Sequence, residues 1–185
     1  MKKLIIFLFL PLITVSQNKV LTYEDANDIN IAKQYKNDTE IYSYTTKNGM
    51  KISVGDVLTI GNAKIKREEY MINDVFKNIV VGNVKGTYTH DYKYLSHKYS
   101  GDKVVINSIY VKHVKYKGYN ILKKRNEMPL YVCVYVRNVK EDKSGIAAVT
   151  NLFKDSRKTI LDIDKALDNG EIISDDNLNN SYRPE

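Results

Sequence analysis

Between Val104 and Val139 the chain reads VVINSIYVKHVKYKGYNILKKRNEMPLYVCVYVRNV, its longest stretch dominated by β-branched and aromatic residues. Branched side chains lose rotamer freedom in a helix and pack well on a pleated, half-buried surface. Gly118 and the run Asn126 to Pro129 punctuate the stretch, so it predicts two long strands and a connection. The rest of the chain is organised around that pair.

Ahead of it, Ile41 to Thr46 and Met50 to Val54 are alternating runs on either side of Lys47-Asn48-Gly49. Asn-Gly between such runs predicts a hairpin closed by a type I′ turn, which needs positive φ at both central residues. Val54 to Gly61 is a short alternating strand bracketed by glycines. Lys64 to Lys77 fits neither the helical nor the strand period. Strands resume at Ile79 to Val81, Val84 and Gly86 to Thr89, and His90 to Gly101 reads as a tyrosine-rich loop. Beyond the two long strands, Glu141 to Gly145 predicts a turn and Ile146 to Val149 a short strand.

Asp155 to Asn169 is the helix the pattern predicts. Ile160, Leu161, Ile163, Ala166 and Leu167 recur at helical spacing, Asp155 or Ser156 can cap the start, and Gly170 stands at the left-handed C-terminal position. An amphipathic helix of this kind packs on a sheet. Ile172 and Ile173 add a last strand.

These elements predict a mainly β fold, a small SH3-like barrel or rolled antiparallel sheet with one C-terminal packing helix. The division is a signal peptide at 1–16, a polar N-terminal segment at 17–40, a β-rich domain at 41–173 with its helix at 155–169, and a disordered tail at 174–185. The polar segment is expected to be a mobile leader or one short helix. Met50 to Gly61, with its Val-Gly-Asp-x-Leu-x-Ile-Gly pattern, resembles the first hairpin of bacterial SH3-like barrels. Ile160 to Ile173, with Lys165-Ala166-Leu167 and Gly170-Glu171-Ile172, looks like the ending of uncharacterised exported bacterial proteins. That likeness implies fold and export and carries no active-site residue across.

Met1-Lys2-Lys3 ahead of the apolar run Leu4 to Val15 has the form of a signal peptide, with cleavage expected after Ser16. The run is shorter than the about 20 residues of a membrane-spanning helix, and no cysteine follows it to carry a lipid. A mature chain without a transmembrane segment is expected in the periplasm or outside the cell. Its one cysteine, Cys133, allows no intramolecular disulfide, so a core must hold it together.

The net charge of +7 is unevenly spread. Residues 47–154 carry +11, against −2 for residues 17–46 and −4 for residues 155–185. From Val104 to Arg125 the bases Lys112, Lys115, Lys117, Lys123, Lys124 and Arg125 meet no acid and alternate with Tyr110, Tyr116 and Tyr119. Cations beside flat amphipathic rings suit an anionic polymer, with charge supplying affinity and rings a stacking surface. Tyr110, Lys112, Lys115, Tyr116, Lys117, Lys123, Lys124 and Arg125 are therefore the candidate ligand-binding residues. With export, the partners this implies are anionic polysaccharide, lipopolysaccharide or extracellular DNA. The competing readings are a solvated strand face guarded by lysine, and acidic ends that fold back onto the basic middle.

No catalytic set stands out. The alternative to a non-enzymatic envelope module is a secreted hydrolase using His90 or His97 with a carboxylate brought in by the fold. Cys133 shares a strand face with Tyr131 and Tyr135, which predicts a buried thiol. His113 alternates with Val111 and Lys115 as an ordinary sheet-face histidine. Neither a metal site nor a cofactor is predicted: a calcium loop with Gly170 at its sixth position would have Lys165 at the first and Leu167 at the third, where oxygen ligands are needed.

Overall fold

The two long strands are β8 (Lys103–His113) and β9 (Leu130–Asn138), an antiparallel pair from Val104↔Asn138 to His113↔Leu130. They form the spine of the fold in the computed structural model, which describes residues 19–62, 75–86, 92–115, 128–139 and 157–174. A bulge lies between Ile106 and Ser108. Before it Val104 and Ile106 are buried, after it Ile109, Val111 and His113, so the buried parity switches from even to odd across exposed Asn107. One extra residue returns the apolar positions to the same face, which a regular strand would have turned outward.

The other strands among the described residues are β1 (Val20–Thr22), β2 (Thr39–Ile41), β3 (Ser43–Thr45), β4 (Lys51–Ser53), β5 (Val57–Ile60), β6 (Val75–Val81), β7 (Tyr94–Ser96), β10 (Arg157–Ile160) and β11 (Ile172–Ser174). The fold is mainly β. A curled half-barrel sheet runs in the order β11-β5-β8-β9-β10-β6-β7, with β2 also paired to β8, and a three-stranded sheet runs β1-β3-β4. Ile109, Val132, Val134, Phe76, Ile79 and Ile160 on the inner face of the large sheet share one core with Leu21, Tyr44 and Ile52 of the small sheet. No helix among the described residues is long and apolar enough to cross a membrane.

The helix expected over 155–169 is half strand. Arg157 to Ile160 forms β10, paired with β9 on one side and β6 on the other, and α3 (Ile163–Asp168) begins only after it. A slot between two strands satisfies the backbone groups of Lys158 to Ile160 on both sides, and that tertiary pairing overrides the helical spacing of the apolar residues. The cap is Asp162, whose side chain accepts from the Lys165 N–H at 3.2 Å, instead of Asp155 or Ser156. Ile163 and Ala166 are buried, Leu167 packs against the same core, and Gly170 has φ +69° at the end.

The Asn48-Gly49 hairpin forms, with a different turn. β3 and β4 pair from Ser43↔Ser53 to Thr45↔Lys51, and Gly49 is left-handed at φ 82° while Asn48 is not. The Gly49 N–H donates to the Thr46 carbonyl at 2.9 Å, and the Thr46 N–H donates to the Met50 carbonyl at 2.8 Å. A turn followed by a left-handed glycine is the longer hairpin loop with a glycine bulge. The β4–β5 segment bends sharply at Gly55, where the Asp56 carboxylate accepts from the Ser53 N–H at 2.7 Å, and sends β4 and β5 into different sheets.

Residues 19–40 are part of the core and contain more than one short helix. They hold β1, α1 (Tyr23–Asn27), α2 (Ile29–Ala32) and most of β2. Thr22 and Asp25 form a reciprocal capping box, each accepting the other's N–H at 3.1 Å. Leu21, Ala26 and Ala32 anchor this polar segment to the core. Within the expected loop 90–101, β7 is followed by a 3-10 turn, His97–Tyr99. The signal peptide at 1–16, most of 64–77, the Glu141 turn, the Ile146 strand and the tail beyond Ser174 lie outside the described residues.

Candidate functional site

Strand alternation gives the spine a second, outer face. Opposite one another across β8 and β9 stand Ser108 and Tyr135, Tyr110 and Cys133, and Lys112 and Tyr131. Thr159 of β10 continues the row of Tyr135. Tyr110, Cys133 and Tyr135 are buried there with Val80 and Val84, and Tyr92, Tyr131 and Leu161 pack at the margin.

Val84, in the chain leaving β6, packs on this face. At Gly82 the backbone takes φ 91°, a region that only glycine enters without strain, and the chain turns off the sheet. The Gly82 N–H still donates to the Arg157 carbonyl at 2.8 Å, and the Thr159 hydroxyl donates to the Gly82 carbonyl at 2.7 Å. Residues 82–86 then form a strap whose far end is held by charge. Lys112 Nζ lies 3.3 Å from Asp38 Oδ1 and donates to the Val84 carbonyl at 3.2 Å. Asp38 Oδ2 accepts from the Gly86 N–H at 3.1 Å, and Lys85 meets Glu40 at 2.6 Å. Asp38 takes positive φ, 63°, a conformation that aspartate tolerates better than most residues.

Among the candidate ligand-binding residues, the fold brings Tyr110 and Lys112 together, with Lys112 Nζ 5.8 Å from the centre of the Tyr110 ring. Tyr110 is 0 % exposed, so its ring is a core contact and not an open stacking surface. Lys112 is spent largely inside the protein, its side chain 13 % exposed beside Asp38. Lys115 is exposed just past the end of β8. Tyr116, Lys117, Lys123, Lys124 and Arg125 lie outside the described residues.

Sequence reasoning missed Asp38 and Glu40, whose roles depend on partners far along the chain, Lys112 for Asp38 and Lys85, 45 residues away, for Glu40, and it missed Arg137 and Arg157. Arg137 follows Tyr135 on the outer face, its guanidinium carbon 5.8 Å from that ring. Arg157 stands directly opposite Arg137. The alternation of β9 was a usable signal for Arg137, but assigning Arg157 to a helix hid the pair.

The buried thiol and phenols of this face are held in their neutral forms. Burial pushes the Cys133 thiol well above its ordinary value, Lys112 only partly offsetting it, and Cys133 Sγ contacts the Leu161 carbonyl at 3.2 Å. Burial likewise raises the Tyr110 and Tyr131 hydroxyls. A thiol so placed is a packing group, since the thiolate is the nucleophile. His97 stacks on Phe76 with ring centres 4.5 Å apart. His113 is buried, its Nδ1 2.9 Å from the Met128 carbonyl and its Nε2 2.8 Å from the Tyr35 carbonyl. His90 is outside the described residues, among which no three His, Cys, Asp or Glu side chains gather as a metal site.

The acidic ends do fold back onto the basic middle. Besides Asp38 and Glu40, the α3 carboxylates reach the first hairpin: Asp164 accepts from the Tyr44 hydroxyl at 2.7 Å and the Lys47 N–H at 2.8 Å, and Asp168 lies 3.7 Å from Lys47 Nζ. No protein-family model, curated protein or solved structure matches this chain, so the roles of its residues rest on their own chemistry and geometry.

Proposed function

We propose that this chain is an exported, non-enzymatic binding or structural module of the bacterial cell envelope that contacts anionic polymers through its basic middle. Anionic polysaccharide, lipopolysaccharide and extracellular DNA are the polymers in view. The observation that carries the reading is the exposure of Lys115 just past the end of β8, at the start of a run that continues in sequence with Lys117, Lys123, Lys124 and Arg125, whereas Lys112 on β8 is paired with Asp38. Charge concentrated in this way raises the local concentration of a polyanion and its rate of encounter. The same reading takes residues 1–16 as the export signal, and the corner at Gly55 as that of an SH3-like barrel.

The test is retention of the mature domain on heparin, lipopolysaccharide and single-stranded DNA over a salt series, beside a variant with Lys123, Lys124 and Arg125 changed to Gln. Retention should fall steeply with salt and be weaker in the variant. Absence of retention at low salt, or an unchanged variant, overturns the reading. A hydrolase would need a carboxylate against His90 or His97, and among the contacts of His97 the ring of Phe76 takes the stacking position.

A further inference from the structure

β8 ends on a histidine whose ring meets two acceptors. His113 Nδ1 lies 2.9 Å from the Met128 carbonyl oxygen, and Nε2 lies 2.8 Å from the Tyr35 carbonyl oxygen. A carbonyl oxygen only accepts, and a neutral imidazole has one N–H to donate, whereas the cation has two. In the neutral ring one nitrogen therefore turns its lone pair toward a carbonyl oxygen, and one hydrogen bond is missing. The residue is 5 % exposed, which leaves the ring little contact with water to make up that loss.

The backbone around the ring holds these groups in place. The His113 N–H donates to Asn37 Oδ1 at 2.8 Å, the Asp38 N–H to the Val111 carbonyl at 2.8 Å and the Val114 N–H to the Pro129 carbonyl at 2.8 Å. The ring thus sits where three stretches meet: the chain after α2, the end of β8 and the start of β9. Tyr35 is 78 residues from His113 along the chain.

We propose that His113 is a pH-dependent clamp: with both ring nitrogens protonated it bonds Tyr35 and Met128 at once, and on losing a proton it releases one of them. Histidine is the side chain that ordinarily changes charge between about pH 5 and 8. Burial opposes the charge, and two charge-assisted bonds to carbonyl oxygens favour it. The titratable and charged side chains on the surrounding elements are Tyr35, Lys36 and Asp38 after α2, Lys112 and Lys115 on and just past β8, and Tyr131 on β9. Asp38 is paired with Lys112, and Lys19 lies 5.7 Å over the Tyr35 ring. Among the described residues no carboxylate bonds to the His113 ring, so the clamp works through the two carbonyls. The folded chain holds the second proton through a bond that the unfolded chain lacks. The contribution is therefore present in acid and lost as pH rises. It is independent of whether the basic middle binds a polyanion.

Two measurements on the wild-type protein test the clamp. In the first, long-range proton–nitrogen NMR follows the His113 ring, assigned by through-bond correlation to its own backbone. Both ring nitrogens should carry protons at about pH 5, and only one at about pH 8. A ring with a single proton at the acid end, or with both across the whole range, overturns the clamp.

In the second, hydrogen exchange of the Asp38 and Val114 amides is read as protection relative to an unstructured chain at the same pH. Asp38 reports the Tyr35 side and Val114 the Met128 side. Protection of at least one should fall about tenfold or more from the acid to the alkaline end of that range, the loss of one hydrogen bond to a charged group. Protection of both that is independent of pH overturns the clamp. His113→Gln should remove the dependence and His97→Gln should keep it. The same dependence in His113→Gln as in wild type overturns the clamp, and if that variant does not fold, the two wild-type measurements decide.

Discussion

On the inner face of the large sheet Ile109, Val134 and Ile160 are sealed by apolar side chains from the small sheet and α3, whereas on the outer face Tyr110, Cys133 and Tyr135 form a smaller cluster with Val80 and with Val84 of a strap that charges hold down. The inner seal is made of area removed from water and does not depend on any one partner. The outer seal is made of a few named contacts: Lys112 with Asp38, Asp38 with the Gly86 N–H, and Lys85 with Glu40. Two charged residues are also buried, each satisfied. Glu171, 1 % exposed, accepts from the Lys77 and Asn78 N–H groups at 3.0 and 2.8 Å, and buried Lys158 donates to the Asn138 side chain and lies 5.1 Å over the Tyr99 ring. One face thus tolerates loss of a contact at the cost of a cavity, while the other can open locally.

That contrast can be broken most severely on the inner side. Ile109→Ala should cost about 2–5 kcal/mol in urea unfolding, and a loss below about 0.5 kcal/mol would mean that this face is not the core. Asp38→Asn keeps the left-handed backbone and an acceptor for Gly86 but discharges the partner of Lys112. It should cost about 1–3 kcal/mol, and hydrogen exchange of the 82–86 amides should speed up while that of Val134 stays slow. Equal acceleration of both would merge the two faces into one cooperative unit.

A subtler test uses Asp164, whose carboxyl burial raises above its ordinary value of 3.8, the hydrogen bonds from Lys47 and Tyr44 offsetting only part of the rise. The folded state then binds this proton more readily than the unfolded chain. The contribution is fully present below the ordinary carboxylate value and is lost as pH rises through the raised one. Asp164→Asn should remove it, so stability relative to wild type should improve on going from acid to neutral pH. A difference independent of pH would refute the raised value. Smallest of all, Lys85→Gln should cost only about 0.2–1 kcal/mol, as exposed pairs do, and less in high salt. A larger loss would make Lys85 a principal clamp of the strap.

Much of the fold was legible because its signals are local. The two long strands, the first hairpin, Val57 to Ile60 and the closing strand at Ile172 are short-period patterns with turn residues at their ends. The site was less legible. Tyr110 reads as a surface aromatic beside lysines, and nothing within β8 announces that Val80 and Val84 will pack with it. Arg157 to Ile160 was drawn into the helix by the spacing that begins at Ile160, and the place between β6 and β9 overrules it.

The sequence by itself determined the strand-rich class, the alternation of the spine, the burial of Cys133 and the concentration of positive charge between two acidic ends, since all of these follow from composition or from a period of two residues. Only the tertiary structure decided which charges are spent. Lys112 meets Asp38, and Arg137 faces Arg157, because sheet register juxtaposes residues far apart in the chain, and register is fixed by the packing of both faces together and not by any segment alone.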